Sequence, residues 1–149
     1  MKSVYLATKF TQAIQVQYFN FEFRNTLIKI IDHLIGSGIN VKSAHLKEEF
    51  GNLKIKPDEF VVRDFNNMKK CNFIIALLDE KFSGGVHIEL GWASLQKKPI
   101  LILIPYSMTI DQLSPMILGL NNFTKCLIKR YYDESHMIKH LDSFLNNYK

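Results

Sequence analysis

Glu89 is the residue in this sequence whose position best suits it for chemistry. It lies in the stretch FSGGVHIELGWASLQKKP, residues 82–99, where a Gly-Gly pair precedes an amphipathic segment long enough for a helix. The pattern predicts Glu89 just inside that helix, where the helix dipole favours a carboxylate that is ionised at neutral pH. An ionised carboxylate at the mouth of an α/β sheet is a candidate nucleophile. The alternative is a solvated glutamate near a helix start, which is the commoner case for a single glutamate.

Small residues and a second carboxylate favour the chemical interpretation. Small side chains let a ligand and a neighbouring backbone come close. Those around Glu89 are Gly84, Gly85, Gly91, Ala93 and Ser94. Asp64 lies on a predicted helix, where it is either a solvated charge balanced by Arg63 and Lys69 or a carboxylate over the same pocket. A nucleophilic carboxylate and a second acid group suit glycosyl chemistry with an oxocarbenium-like transition state.

Three histidines are weaker candidates. His45 follows the second predicted strand, at the edge of the sheet where a ligand would lie, although a loop histidine without a role is about as frequent. His136 and His140 lie four residues apart on the last predicted helix, a spacing that can bind a metal. No acidic residue is placed to help them, so a solvated helix face is the preferred interpretation. The sequence therefore predicts no metal site.

The elements that must position Glu89 are two apolar runs on either side of it. Residues 73–78 and 100–104 are typical of buried strands. A strand, a loop, a helix and a second strand in this order predict two parallel neighbours in one sheet. Ligands of such sheets bind at the loops that follow the carboxyl ends of the strands. The predicted start of the Glu89 helix lies at that edge.

The remaining patterns continue the alternation of strands and helices. Strands are also predicted over residues 3–8, 39–44 and 123–129, and helices over 18–35, 57–70, 110–118 and 133–147. Residues 9–17 are predicted as a loop, and the charged stretch 47–56 as a mobile loop. The alternation predicts an α/β fold of three layers, with a five-stranded parallel sheet in the order 2-1-3-4-5.

Length and composition fit one domain over residues 1–149 with a sizeable core. The hydrophobic content of 47% and charged content of 22% are typical of a globular protein. No apolar run approaches the roughly 20 residues of a membrane span. The first predicted strand begins at residue 3, so we expect no signal peptide. Cys71 and Cys126 form no CxxC pair, so we expect two buried free thiols and a cytoplasmic protein.

Charge and absent motifs exclude several classes of function. The net charge of +5 is spread along the chain, which indicates a weak preference for anionic ligands and no nucleic-acid groove. There is no GxGxxG after the first strand and no GxxxxGK[ST], which argues against dinucleotide oxidoreductases and P-loop enzymes. The absence of GxSxG argues against an α/β-hydrolase.

Several blocks of the sequence resemble the nucleoside 2-deoxyribosyltransferase superfamily. They are SVYLAT at the start, RDFNNMKKCNFIIALL in the middle, GGVHIELGWASLQKKPILIL after it, and LSPMILG near Ser114. The pattern G-V-x-x-E-L-G-x-A is the most specific of them. The chain is most similar to the branch of 2′-deoxynucleoside 5′-phosphate N-hydrolases and cytidine-monophosphate N-glycosidases. The resemblance implies a flavodoxin-like fold, a homodimer with composite sites, and cleavage of an N-glycosidic bond without metal or redox cofactor.

The resemblance also implies roles for individual residues. Glu89 matches the nucleophile, Tyr5 a tyrosine that positions it, and Asp64 an acidic partner for the sugar or the leaving base. Ser83 matches a serine that contacts the 5′-phosphate, with Gly84 and Gly85 beside it. Ser114 matches a serine that is offered across the dimer to the same phosphate.

The loop after the first strand departs from the family pattern. The hydrolases carry a Gly-Ser-Ile-Arg-Gly type loop, whereas this chain has TKFTQ at residues 8–12. Lys9 replaces the phosphate-binding serine and Thr11 replaces the arginine. Lys9 and its neighbour Phe10 are therefore expected at the substrate, with Lys9 holding a phosphate as a point charge. A nucleoside or a larger nucleotide remains an alternative substrate.

Together these features predict an N-glycosidase that acts on a nucleoside monophosphate. The alternatives are a deoxyribosyltransferase, an NAD-cleaving relative, and a nucleotide sensor without turnover. The expected partners are a small-molecule nucleotide and a second copy of the chain, with no nucleic acid and no membrane. Met116, Ile117 and Leu118 lie on a short predicted helix that a monomer need not bury, which favours a twofold dimer.

Overall fold

The computed structural model describes residues 1–10 and 20–148, so predictions that fall on residues 11–19, including Thr11, lie outside the described residues. The strands are Ser3–Thr8 (β1), Asn40–Ser43 (β2), Phe73–Leu77 (β3), Ile100–Pro105 (β4) and Cys126–Tyr131 (β5). The helices are Phe21–Gly36 (α1), Ala44–Lys47 (α2), Pro57–Lys70 (α3), Gly84–Leu95 (α4), Pro115–Leu118 (α5) and Glu134–Asn146 (α6). Within these two ranges, no helix has the length and apolar character needed to cross a membrane.

The five strands form one parallel sheet in the order β2-β1-β3-β4-β5, as predicted. The first strand in the sequence therefore lies between β2 and β3, with Tyr5 opposite Lys42 on one side and Ile74 on the other. Because successive side chains of a strand face opposite sides of the sheet, β1 contributes to two separate cores. The three-layer α/β fold is confirmed.

Helices α1 and α6 cover one face of the sheet. In α1, Asn20 caps the first turn by accepting a hydrogen bond from the Phe23 backbone N–H. The buried residues of α1 follow the helical period, and they are Phe23, Leu27, Ile30, Ile31 and Leu34. They pack with buried residues of α6 and with every second residue of β1 and β3.

Helices α3, α4 and α5 cover the other face. Pro57 occupies the first turn of α3 and is followed by Asp58 and Glu59, an arrangement that favours a helix start. Their core contains Tyr5 and Ala7 of β1 together with residues of β3, β4 and the three helices. This face carries Glu89, so the packing on this side decides where the candidate nucleophile lies.

Two predicted stretches differ from the structure. The charged stretch 47–56, predicted as a mobile loop, begins at the end of α2 and contains a 3₁₀ turn over Glu49–Gly51. Phe50 packs against the core on the side of the sheet that α1 and α6 cover. This contact holds the turn, in which Glu49, Phe50 and Gly51 all have left-handed φ angles. The single helix predicted over 110–118 is instead a 3₁₀ turn over Ile110–Gln112 followed by α5. The break occurs at Ser114, because Pro115 disfavours helical geometry in the residue before it.

Further differences affect the end of the chain. Strand β5 begins at Cys126 rather than at 123, because a 3₁₀ turn over Gly119–Asn122 continues the preceding helix. Cys71 is buried as expected, but Cys126 is half-exposed, so the prediction of two buried thiols is wrong for Cys126. Ile117 is buried within the chain, whereas Met116 and Leu118 are exposed. Ile117 therefore needs no partner subunit to cover it.

Leu27 and Leu95 give a matched test of the α1 core. Leu27 is 0% exposed and Leu95 is 83% exposed, and both lie on helices. We expect Leu27→Ala to lower the free energy of unfolding by about 2–5 kcal/mol, because it leaves a cavity. Leu95→Ala should change it by less than about 0.5 kcal/mol. Urea denaturation followed by circular dichroism measures both, and equal losses would contradict this assignment of the core.

Candidate active site

A hydrogen bond between Tyr5 and Glu89 joins β1 to α4. The Tyr5 Oη donates to Glu89 Oε1 at 2.6 Å. Tyr5 is 1% exposed and belongs to the core beneath α3 and α4, so its ring is held firmly by packing. Glu89 lies in the second turn of α4. The structure thus brings together the two residues that the family resemblance associates as nucleophile and positioning tyrosine.

The surroundings of Glu89 favour its protonated form. Burial raises the pKa of Glu89 to about 8, and the charge of Asp64 adds to this, whereas the Tyr5 bond and Arg63 act in the opposite direction. The expectation of an ionised Glu89 at neutral pH is therefore wrong for the unliganded protein. The helix dipole acts within about the first turn, and Glu89 lies beyond it.

Tyr5 remains a hydrogen-bond donor over the whole physiological range. Burial, followed by the charges of Glu89 and Asp64, raises the pKa of Tyr5 far above its usual value. A phenol that stays protonated has one O–H to give, and the structure directs it to Glu89 Oε1. The other carboxylate oxygen of Glu89 has no such bond to Tyr5, which leaves it for another partner.

Asp64 lies at the same cavity as Glu89. Together with five further residues the two carboxylates line a space of about 150 Å³ between α3 and α4. Those residues are Phe60, Val61, Gly85, Ile88 and Trp92. Asp64 is only 7% exposed, so the shared-pocket interpretation fits and the solvated-charge interpretation is wrong.

Arg63 makes a two-point contact with Asp64. Its Nε donates to Asp64 Oδ1 at 2.8 Å and its Nη2 donates to Asp64 Oδ2 at 3.0 Å. The same Nη2 donates to Oε1 of Glu48 at 2.6 Å, and Glu48 is 6% exposed. Burial alone would lower the pKa of Arg63, but the bonds to Asp64 and Glu48 raise it above its usual value. Arg63 therefore stays charged and joins two buried carboxylates.

Sequence reasoning missed the role of Glu48 and undervalued Arg63. Arg63 was visible as the neighbour of Asp64, which indicated loose charge balance. Glu48 lies in a charged stretch without hydrophobic period, where nothing in the sequence distinguishes it from Glu49. Burial separates the two, since Glu48 is buried and Glu49 is exposed. Phe50 packs against the core two positions later, but this does not indicate which of the two glutamates is buried, so no sequence signal identifies Glu48.

The loop after β1 is anchored at Lys9 by two carboxylates. The Lys9 Nζ lies 2.7 Å from Asp79 Oδ2 and 3.2 Å from Glu80 Oε1. Burial alone would lower the pKa of Lys9, but these two partners raise it overall. Lys9 lines a different cavity from that of Glu89, a space of about 260 Å³ near α1 and the end of β5. The predicted lone point charge for a phosphate is thus neutralised within the chain.

His45 contacts the same loop at Lys9 and Phe10. It is 1% exposed, and its ring Nε2–H donates to the Lys9 carbonyl oxygen at 2.8 Å. Its ring stacks on Phe10 with centroids 4.8 Å apart. Burial lowers the pKa of His45 to about 4, so the ring is neutral at physiological pH. The structure gives His45 a role in fixing the loop, where the sequence suggested a loop residue facing a ligand.

The start of α4 supplies the remaining predicted residues. Ser83 is 3% exposed and precedes the helix, and its carbonyl oxygen accepts hydrogen bonds from the backbone N–H and the ring Nδ1–H of His87. Gly85 lines the Glu89 cavity, and a Cβ on it would meet nothing within 4 Å, whereas one on Gly84 would touch the Phe82 ring at 3.7 Å. The space in front of Gly85 is therefore open.

Ser114 does not line the Glu89 cavity of its own chain. It caps α5 by accepting a hydrogen bond from the Met116 backbone N–H at 3.3 Å. Metal ligands are also not grouped near Glu89, since the described residues contain no cluster of three or more His, Cys, Asp or Glu that could hold an ion. The side chains brought together at this site are Tyr5, Asp64 and Glu89.

Comparisons with known proteins identify the same fold in solved structures. No family model matches the chain, and no curated protein matches it by sequence. The structure is similar to that of BcmB from Clostridium botulinum, with a TM-score of 0.74 and 24% identity over 96% of this chain and 99% of that one. BcmB is a CMP N-glycosidase. That is the class of enzyme which the sequence blocks resemble.

Two further solved structures have the fold. The solution structure of BlsM has a TM-score of 0.81 and 24% identity over 95% of this chain and 88% of that one. A conserved protein from Enterococcus faecalis V583 has a TM-score of 0.66 and 16% identity over 97% and 99% of the two chains. At these identities the similarity establishes the Rossmann-like three-layer fold.

Glu89→Gln tests the electrostatics of the site without any assumption about function. Because the folded-state pKa of Glu89 lies above its usual value of 4.5, ionisation of this carboxyl destabilises the folded protein. The stability that is associated with the protonated carboxyl is fully present below pH 4.5 and is lost as the pH rises through about 8. We therefore expect the Tm of Glu89→Gln, relative to that of the wild type, to increase from pH 5 to about pH 8 and to level off above it.

Glu22→Gln is the matched control for this measurement, because Glu22 is an exposed glutamate in the first turn of α1. Its Tm difference from the wild type should be nearly constant over the same range. Differential scanning fluorimetry in buffers of equal ionic strength measures both variants. A constant difference for Glu89→Gln would show that the carboxyl is solvated.

Proposed function

We propose that this protein is an N-glycosidase that hydrolyses a nucleoside 5′-monophosphate to free base and sugar phosphate, with Glu89 as the nucleophile. The observation that carries the proposal is the Tyr5–Glu89 hydrogen bond at 2.6 Å beside the buried Asp64 at one cavity. A fold shared with a CMP N-glycosidase adds support. A fold alone does not define an activity, so the chemistry is argued from these side chains.

The first step is attack of the Glu89 carboxylate on C1′ of the sugar. Tyr5 holds Oε1, so the attacking atom is the other oxygen, and a lone pair of that oxygen forms the new bond. The C1′–N bond breaks, and its electron pair leaves with the base, which is then protonated. The neighbouring carboxylate of Asp64 lies at the same cavity and stabilises positive charge that develops on the sugar.

The second step is hydrolysis of the glycosyl-enzyme. The oxygen of a water molecule attacks C1′, its proton is released, and Glu89 leaves as a carboxylate. The partial desolvation that raises the pKa of Glu89 to about 8 also makes its ionised form a stronger nucleophile once the proton is lost. The cycle consumes one water and returns the enzyme unchanged.

A negative charge on the substrate is expected near the start of α4. Gly84 and Gly85 are the first residues of this 12-residue helix and Ser83 precedes them, and the free backbone N–H groups at a helix start bind anions. Lys9 contributes less than the sequence suggested, since Asp79 and Glu80 already neutralise it. Binding energy from a remote phosphate would hold the sugar while charge develops at C1′.

The proposed active form is a homodimer. Apolar side chains at the mouth of the Glu89 cavity are exposed in the single chain, including Val61 at 42% and Ile88 at 57%. Met116, which follows Ser114, is 80% exposed. A twofold pair would bury such surface and carry Ser114 to the partner's phosphate, as the resemblance implies.

The decisive experiment is mass detection of products from a panel of nucleoside monophosphates and the matching nucleosides. We expect free base and sugar phosphate from at least one monophosphate. Glu89→Ala should lower kcat by about 10⁴-fold or more, and Glu22→Ala should leave it unchanged. Circular dichroism confirms that both variants are folded.

Two outcomes of this experiment contradict the proposal as a whole, and a third contradicts only its phosphate. The first is near-normal base release by folded Glu89→Ala. The second is a new nucleoside, formed when a second base is added, in place of sugar phosphate, because that product identifies a transferase. Equal kcat/KM for nucleosides and monophosphates would remove the phosphate from the proposed substrate.

The pH dependence of the reaction follows from the state of Glu89. Only the ionised carboxylate attacks C1′, so kcat/KM should rise with pH and reach half of its maximum near pH 8. Below that pH the protonated form predominates and activity falls about tenfold for each unit of pH. Initial rates measured from pH 5.5 to 9.5 check this, and a maximum near pH 5 would contradict it.

A further inference from the structure

Arg63 binds Asp64 in the geometry that favours the ionised form of a carboxyl. Both carboxylate oxygens accept from the guanidinium, at 2.8 and 3.0 Å. A protonated Asp64 would present an O–H toward one of these N–H donors and lose that bond, because guanidinium has no acceptor. The contact therefore stabilises an Asp64 that accepts hydrogen bonds and does not give a proton.

Glu48 fixes the position of Arg63. An arginine side chain is long and has many rotamers, so a two-point contact needs a second anchor to be kept. Arg63 Nη2 has that anchor in Glu48 Oε1 at 2.6 Å, on the turn that follows α2. With Glu48 6% exposed and Asp64 7% exposed, the guanidinium lies between two carboxylates that are largely shielded from water.

Four titratable groups surround the Asp64 carboxyl, from four different segments. Arg63 belongs to α3, Glu48 to the turn after α2, Glu89 to α4 and Tyr5 to β1. Tyr5 is neutral, so Arg63 is the one cation among these four and balances the negative charges. Its removal would leave Asp64 beside two other carboxyl groups, which favours uptake of a proton by the cluster.

We infer that Arg63 and Glu48 are positioning residues that keep Asp64 ionised through the reaction, so that the departing base takes its proton from water and not from Asp64. This inference depends on the proposed function and narrows its mechanism. In the first step the C1′–N electron pair stays on the base nitrogen, a water proton neutralises it, and the resulting hydroxide recovers a proton when water attacks C1′ in the second step. Asp64 binds a donor group of the substrate.

Two leaving groups separate this mechanism from acid catalysis by Asp64. The probes are the nucleoside monophosphate that is cleaved in the product panel and the 4-nitrophenyl glycoside of the same pentose phosphate. The nitrophenolate of the second probe leaves without a proton. We expect Asp64→Asn to lower kcat by the same factor, within threefold, on both probes. Recovery of wild-type kcat by Asp64→Asn on the nitrophenyl probe alone would overturn the inference, because it identifies a lost acid catalyst.

A second measurement needs no turnover. In protein with ¹³C-labelled aspartate, with the Asp64 signal assigned through Asp64→Asn, the Asp64 carboxyl carbon should have the chemical shift of a carboxylate at pH 7. The shift should move toward that of a carboxylic acid in Arg63→Gln and remain that of a carboxylate in Arg63→Lys, which keeps the charge. A carboxylic-acid shift in the wild type would overturn the inference even if no substrate is turned over.

Kinetics of the positioning residues complete the test. Arg63→Gln should lower kcat about 10- to 100-fold and shift the pH of half-maximal kcat/KM, because both Arg63 and the Asp64 charge act on Glu89. Arg63→Lys should restore part of both, and Glu48→Gln should have a weaker effect of the same kind. An unchanged pH profile in all three variants would overturn the inference. If Arg63→Gln does not fold, Glu48→Gln and Arg63→Lys give the same comparison. Wild-type protein that cleaves neither probe counts against the proposed function alone, since the carbon shift still reports on Asp64.

Discussion

The arrangement of this site depends on one constraint, the need of a buried phenol on the interior strand β1 for a hydrogen-bond partner. Tyr5 cannot turn toward solvent because β1 has neighbours on both sides and its ring is enclosed by the core beneath α4. A buried O–H without an acceptor costs about 1–3 kcal/mol, and Glu89 supplies the acceptor. The packing of α4 on the sheet and the position of the carboxylate are thus settled by the same contact.

The two carboxyl groups at the cavity differ in environment, and this difference suits them to different roles. Glu89 has a neutral donor and a crowded, apolar setting, so its charged form is high in energy. Asp64 has a guanidinium on both oxygens. Environments that separate two neighbouring acids in this way are a general means of dividing labour in an active site. Here the two acids differ because Arg63, the neighbour of Asp64 on α3, binds Asp64 and is itself bound by Glu48 on the turn after α2.

Features set by local sequence were predictable, and features set by distant partners were not. Continuous apolar runs predicted strands β3 and β4. Pro57, followed by Asp58 and Glu59, predicted the start of α3. Asp64 and Glu89 lie at one cavity, as the sequence predicted, and Tyr5 binds Glu89, as the resemblance implied. The raised pKa of Glu89 was not predicted, because it results from burial, and burial depends on packing from several helices.

The same distinction explains the errors at Lys9 and Glu48. The sequence showed a lysine in a ligand-facing loop, but its partners Asp79 and Glu80 come from the loop after β3 and meet it only once the sheet is formed. Glu48 acquires its role when Arg63 of α3 reaches the turn after α2. Neither contact has a sequence period or motif, so hydrophobic patterning gives no warning of it.

The order of the strands has a consequence for how the chain folds in time. Strand β1 comes first in the sequence of the sheet, yet its two neighbours are β2 and β3, which lie far along the chain. Since every pairing is parallel, no hairpin can form locally, and each step must close a long loop. Strand β1 therefore has no partner until β2, which ends at Ser43, is available, and its other edge stays unpaired until the segment through Leu77 follows. During synthesis, assembly of the sheet would be slow, and the first strand would be open to association with other chains in that interval.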